Sequence, residues 1–257
     1  MQEILFEVKD SVGYITLNRP EKFNSFNREM ALQMQAALDE CKNETVRAVY
    51  ITGNGKAFSA GQDISELVGE NRIEIKQILS EHYNPIVTRI RKLDKPVVAA
   101  VNGVAAGAGA NIALCCDIVV AAQSASFIQA FSKIGLIPDS GGTFFLPRLI
   151  GWQKASALSM LGDKVSATDA EKMGMLYKVF PDETFPEESK KIALTLSQMP
   201  TEGLALTKQL LNMSFHSTFE EQLQEEDVFQ QRAAMTYDYN EGISAFLEKR
   251  QPVFKGK

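Results

Sequence analysis

The stretch from Lys95 to Ala122, KPVVAAVNGVAAGAGANIALCCDIVVAA, decides the fold class. Pro96–Val101 carries no polar residue, as a strand buried on both faces of a parallel sheet requires. Asn102-Gly103 breaks the run, and a glycine- and alanine-rich segment from Val104 to Asn111 leads straight into a helical pattern. Asp117–Ala122 then reads as a strand again, so strand, tight turn, helix and strand follow one another in the α/β manner. Small residues at such a turn let backbone N–H groups point into a cleft, and a helix N-terminus adds about half a positive charge. The segment is therefore a candidate for holding an oxyanion, although the same glycines also suit close helix–sheet packing. The run alone leaves both readings open. It is not a dinucleotide fingerprint, since Gly107-Ala108-Gly109 lacks the third small residue and no acidic group closes the strand that follows. GxxxxGK[ST] does not occur in the chain.

Outward from this stretch, the same alternation continues. Ile4–Val8 and Val12–Leu17 have strand character around a turn at Lys9-Asp10-Ser11, and Asn18 to Lys22 breaks the pattern. Met30, Met34, Ala37, Leu38 and Cys41 keep the spacing of one buried helix face, with Asn27 as its N-cap. Val46–Thr52 is a β-branched strand ending at Gly53-Asn54-Gly55. A helical stripe of Ile75, Ile78, Leu79, Ile86, Ile90 and Leu93, with His82 on it, predicts a helix from about Asn71 to Leu93. Ser166-Ala167-Thr168-Asp169 has capping-box spacing, and Gly174 closes that short helix. Helices are expected around Glu187–Gln198, Glu202–Met213, Phe219–Thr236 and Ile243–Lys249. The division expected is a core over 1–200 and a helical carboxy-terminal region over 201–257.

Composition narrows the function. The chain has 257 residues, 45% hydrophobic and 23% charged, which places it with globular proteins rather than disordered, coiled-coil or collagen-like ones. Its net charge of −5 argues against bulk nucleic-acid binding, so an anionic ligand must be met by local cations. The amino terminus lacks a basic start followed by an apolar run, and the longest apolar stretch is interrupted by Asn102, Asn111 and glycines. A cytoplasmic chain without a membrane span is the expectation. Cys41, Cys115 and Cys116 are odd in number and sit among apolar residues, so buried free thiols are expected, and neither a metal site nor a cofactor is predicted.

A second glycine-bearing turn, FSAGQDI at Phe58–Ile64, also follows a strand. Taken with KPVVAAVNGVAAGAGANIALCCDIVVAA, SASF at Ser124–Phe127, GLIPDSGGTFFLPRLIG at Gly135–Gly151, SATDAEKMGMLYKVF and EGISAFLEKRQPVF, it resembles the crotonase superfamily, the enoyl-CoA hydratase/isomerase family. The resemblance covers essentially the whole chain. It implies an α/β spiral of repeated ββα units, carboxy-terminal helices that assemble homotrimers or dimers of trimers, and an acyl-CoA thioester as substrate, coenzyme A being part of that substrate. It also implies two backbone N–H groups holding the thioester oxygen, carried over here to Ala60 and Ala108. Beside Ala108, Gly107 belongs to the substrate pocket, as do Asn111, Phe131 and His82.

Members of the family differ in the acid/base group. The hydratases carry two glutamates, and the matching positions are Asn111 and Phe131, neither of which activates water or delivers a proton at neutral pH. Instead a carboxylate stands at Asp139, at a turn that opens a helix over Gly141 to Ile150. From the residues alone Asp139 is equally a helix N-cap. GLIPDSGGT followed by LPR resembles the isomerase branch typified by the ring-1,2-epoxyphenylacetyl-CoA isomerases of phenylacetate degradation, in which an aspartate at this place faces the acyl chain. The activity implied is conversion of the ring epoxide to oxepin-CoA, or a shift of an enoyl-CoA double bond, with Asp139 as acid/base and Phe131 desolvating it.

Coenzyme A contacts carried over from the family fall on Lys22, Ser25, Gln62, Asp63, Ile64, Phe246 and Lys249, the last two across a subunit boundary. Other readings stay open: a Δ3,Δ2-enoyl-CoA isomerase of fatty-acid oxidation, an aromatic acyl-CoA dehalogenase or hydrolase using Asp139 and a pocket His82, or an inactive acyl-CoA-binding protein. A serine peptidase of related fold lacks a nucleophile elbow around Ser59 or Ser140, and an RNA binder lacks a basic face.

Overall fold

The computed structural model describes residues 2–70 and 72–257. The chain opens with a hairpin of β1 (Ile4–Lys9) and β2 (Val12–Leu17), whose turn residues Asp10 and Ser11 both have φ near +55°, the hand that matches strand twist. Helix α1 (Arg28–Glu40) buries Met30, Ala31, Met34, Ala37 and Leu38. Its N-cap is Asn27, whose side chain accepts from the Met30 N–H at 2.8 Å, as the sequence predicts.

From there the chain winds as a spiral. β3 (Ala48–Gly53) is followed at once by the short β4 (Ala57–Ser59); β5 (Val97–Val101) by β6 (Val104–Ala106); and, after helix α4 (Ala108–Leu114), β7 (Ile118–Ala122) by β8 (Ser126–Ile128). The first strand of each pair joins a six-stranded sheet ordered β1-β2-β3-β5-β7-β10, with β10 at Lys178–Phe180, and the second joins a four-stranded sheet ordered β4-β6-β8-β9, with β9 at Lys164–Ser166. Successive turns pair in parallel in both sheets, with Val49 opposite Val97 and Ala99 opposite Val119. This is the α/β spiral of ββα units that the resemblance implies. Every residue of β5 is buried, which explains its unbroken apolar run.

The segment between β4 and β5 departs from the expected single helix. Asn71, where the sequence predicts that helix to begin, lies outside the described residues; α2 covers Ile75–Gln77, a π-helical turn covers Ile78–Tyr83, and α3 covers Asn84–Lys92. Beyond β8 come α5 (Gly142–Ile150), α6 (Trp152–Leu161), β9 (Lys164–Ser166), α7 (Ala167–Lys172), β10 (Lys178–Phe180), α8 (Phe185–Gln198), α9 (Thr201–Met213), α10 (Phe219–Ala234) and α11 (Tyr237–Glu248). Ser166 caps α7 through the Asp169 N–H. α11 starts at Tyr237 rather than Ile243, because Thr236 caps it and accepts from the Tyr239 N–H.

Helix α9 is bolted to the core by a buried lysine. Lys208 donates to the carbonyls of Ile90 and Lys95 and pairs with Asp117 at 2.8 Å, and Asp117 also pairs with Arg91 at 3.1 Å. All three cysteines are buried and free. Among the described residues no helix is long and apolar enough to cross a membrane.

Candidate active site

The two glycine-bearing turns lie against each other. A side chain at Gly61 would run into the Ala106 carbonyl and approach the Ala108 nitrogen, so only glycine permits this contact. Beside them opens a cleft of about 440 Å³, lined by Ala60, Gly61, Gln62, Gly107 and Ala108 on the turns and by Tyr83, Phe131, Ile137 and Asp139 among others opposite. Gly107 has φ +52° and ψ −128°, a conformation closed to residues with a side chain, and Phe131 packs over it.

The oxyanion assignment needs one correction. Ala60 lines the cleft, but its N–H donates to the Phe23 carbonyl at 2.9 Å and is not free for a ligand. The two peptides flanking Gln62 are held by the Phe26 N–H on the Gly61 carbonyl and by the Asp63 N–H on the Phe26 carbonyl. Between these bonds the Gln62 N–H has no acceptor among the described residues, and the Ala108 N–H, first in helix α4, has none either. The residue after left-handed Gly61, at φ +89°, therefore supplies the free donor on the first turn. The glycine was the available signal in the sequence, since it turns the following peptide.

Asp139 does not cap α5. The helix has Gly141 as its N-cap with no side-chain bond, and the Asp139 carboxylate accepts from the Ser140 hydroxyl at 2.8 Å. The Asp139 carbonyl, not its carboxylate, accepts the Gly142 N–H at 2.8 Å. The carboxylate is thus uncommitted to the helix and lines the cleft. Burial raises its pKa above the ordinary carboxylate value, and the Ser140 hydroxyl opposes that rise. Ser140 itself has φ +52°, a left-handed conformation that a side chain adopts only under local constraint.

Asn111 and His82, expected in the substrate pocket, are not among the residues lining the cleft. Asn111 is buried beneath it, donating to the Asp139 carbonyl at 2.9 Å and accepting from the Gln129 side chain at 2.8 Å. His82 is fully buried, and neither ring nitrogen has a hydrogen-bond partner among the described residues. In the π-helical turn its neighbour Tyr83 takes the place on the cleft wall, with its hydroxyl donating to Gln62 Oε1 at 2.7 Å. Burial holds the Tyr83 phenol well above its usual pKa, and the nearby Asp139 charge adds to this. The helical stripe in the sequence points to His82 and carries no signal for Tyr83.

The sequence model described as Enoyl-CoA hydratase/isomerase matches residues 7–257. The 1,2-epoxyphenylacetyl-CoA isomerase of Escherichia coli K12 is 46% identical over all of both chains. The trans-2-decenoyl-[acyl-carrier-protein] isomerase of Streptococcus mutans is 36% identical over 100% of this chain and 99% of its own. The crystal structure of an enoyl-CoA hydratase from Bacillus anthracis superposes with a TM-score of 0.94 at 32% identity, over 99% of this chain and all of that one. The chain belongs to the enoyl-CoA hydratase/isomerase family.

Membership of this family implies an acyl-CoA thioester as substrate, and the remaining candidate residues fall around or away from the cleft. Ile64 lines the cleft and is half exposed. Lys22 is exposed next to Phe23 and Asn24, both left-handed, which fold the chain back so that Phe23 receives the Ala60 N–H. Ser25 is buried, and its carbonyl accepts from the Arg19 guanidinium. Asp63 is also buried, paired with Arg19 at 2.9 Å and capping the next turn through the Ser65 N–H, so its carboxylate serves the loop itself. Phe246 and Lys249 sit on exposed α11 and its cap, and neither lines the cleft of its own chain.

Proposed function

We propose that this protein is an acyl-CoA isomerase that works through a thioester enolate, with Asp139 as acid and base. The observation that carries this reading is a half-buried carboxylate in the cleft, not used to cap a helix, in a site that also holds two backbone N–H groups without an acceptor among the described residues. The positions of the two hydratase glutamates hold Asn111, which is turned to the Asp139 carbonyl, and Phe131. One carboxylate suits a 1,3-proton shift. With a 3-enoyl-CoA, Asp139 takes a proton from C2, and the electron pair passes into the thioester, whose oxygen is held by the Gln62 and Ala108 N–H groups. Asp139 then returns the proton to C4 and the double bond comes to rest between C2 and C3. Each preorganised donor to such an oxyanion is worth about 2.7–4 kcal/mol.

The substrate we favour is ring-1,2-epoxyphenylacetyl-CoA, with oxepin-CoA as product, in line with the 46% identity to an isomerase of that name. A Δ3,Δ2-enoyl-CoA shift is the second reading. It is favoured by an adjoining cavity of about 510 Å³, whose aliphatic side chains Ile64, Leu67, Ile73, Ile75, Ile134 and Leu136, with Arg72 and Glu74 also on its wall, offer room for an aliphatic tail. The dehalogenase reading needs a histidine that activates water in the cleft, and the fully buried, non-lining His82 speaks against it. The assembly proposed with this function is a homotrimer or dimer of trimers, in which Phe246 and Lys249 reach a neighbour's ligand.

The test is isomerisation in heavy water by wild type and Asp139→Asn, with 3-hexenoyl-CoA and with the ring epoxide, read as deuterium uptake by mass and as ultraviolet change. Asp139→Asn is expected to lose at least about a hundredfold in rate with acyl-CoA binding retained. The two wild-type rates choose the substrate. A variant as fast as wild type would sink the mechanism.

A further inference from the structure

We propose that Asn111 is a positioning residue for Asp139, held in its working orientation by Gln129. The proposal rests on the reading of Asp139 as the acid/base.

The geometry is a short amide chain. The Asp139 backbone carbonyl can only accept, so Asn111 must turn Nδ2 toward it, as it does at 2.9 Å. That leaves Asn111 Oδ1 facing the other way, where it needs a donor, and Gln129 Nε2 supplies one at 2.8 Å. Both side chains are almost fully buried, and Gln129 does not line the cleft. Gly142 leaves the room: a side chain there would collide with the Asn111 amide. The loop being held is a tight turn in which Ser140 at φ +52° and Gly141 at φ +78° are consecutive left-handed residues. Its Asp139 carbonyl is pinned from within by the Gly142 N–H and from below by Asn111.

The chain of donors and acceptors runs in one sense only. Asn111 donates up to the carbonyl because Gln129 donates to Asn111, and Gln129→Glu would reverse it. The carboxylate so introduced would accept from Asn111, turn Oδ1 toward the Asp139 carbonyl and set two acceptors against each other. The same logic applies to a carboxylate at position 111. An ionised aspartate there, of the same reach as Asn111, would oppose the carbonyl that Asn111 now supports.

Asn111→Ala, Gln129→Glu and Asp139→Asn are to be compared with wild type for kcat and KM on the faster of the two substrates. Binding of unreactive butyryl-CoA is measured alongside. Asn111→Ala is expected to lose about tenfold to a hundredfold in kcat, the scale of a misplaced catalytic group, with KM and butyryl-CoA binding little changed. Gln129→Glu, isosteric and outside the cleft, is expected to show the same split at neutral pH. Its deficit relative to wild type narrows as pH falls, because the introduced carboxyl donates again once it is protonated, whereas that of Asn111→Ala does not. If Asp139→Asn is inactive while Asn111→Ala and Gln129→Glu keep wild-type kcat, or lose only in KM, the positioning role is wrong and the acid/base reading stands. If Asp139→Asn retains full rate, both are wrong.

Discussion

Asp139, the proposed acid and base, has a placement that costs stability. A carboxyl whose pKa is higher in the folded chain than in the unfolded one binds its proton more tightly when folded. Stability is therefore lost as pH rises from the unfolded value through the folded one, and the full penalty is present above both. Asp139→Asn removes that penalty. The variant is expected to melt at a higher temperature than wild type at pH 7, with the difference vanishing below the unfolded carboxylate value of about 3.9. Thermal melts at pH 3 and pH 7 check this, and equal melting temperatures at pH 7 would contradict it. With Asp139 in its proposed role, a group costly to bury and useful in the reaction is the expected form of a stability–activity trade-off. The neighbouring Ser140, left-handed and donating to Asp139, belongs to the same compromise.

Among the elements, the ones that set the site are the shortest. β4, β6 and β8 are three residues each, too short to show a period in the sequence, yet they hold the two turns that bring Gln62 and Ala108 to the cleft. The π-helical turn from Ile78 to Tyr83 likewise breaks the regular stripe, so that Tyr83 and not His82 meets the cleft. α9 shows how one side chain joins distant elements: Lys208 reaches two carbonyls on either side of Leu93 and the carboxylate of Asp117. Lys208→Met strands both carbonyls but leaves Asp117 its Arg91 partner, so the cost should fall at the lower end of the range for a broken buried pair, about 3 kcal/mol. Urea unfolding measures it; a change within about 0.5 kcal/mol, as for an ordinary surface substitution, would show that the bolt is not holding.

For the whole molecule, the apolar surface left over at the carboxy-terminal end is the outstanding feature. α10 buries none of its residues within the chain, and Phe219, Met235, Phe246 and Leu247 are each more than 70% exposed. Exposed apolar residues in such number call for a partner. Sedimentation equilibrium is expected to give three or six times the chain mass, and a monomer would overturn the proposed assembly. The α/β alternation, the Asn27 and Ser166 caps, the buried β5 and the carboxylate at 139 were all legible in the sequence, because each depends on local periodicity or on the chemistry of a few adjacent residues. Only the tertiary structure decided that Ala60 spends its N–H on Phe23 and leaves Gln62 free, that Asp139 faces the cleft instead of capping a helix, and that Asn111 turns to the Asp139 carbonyl. Their common physical reason is that a polar group's commitment is set by the partner it meets in space, and that partner comes from another turn of the spiral or from the packing around it.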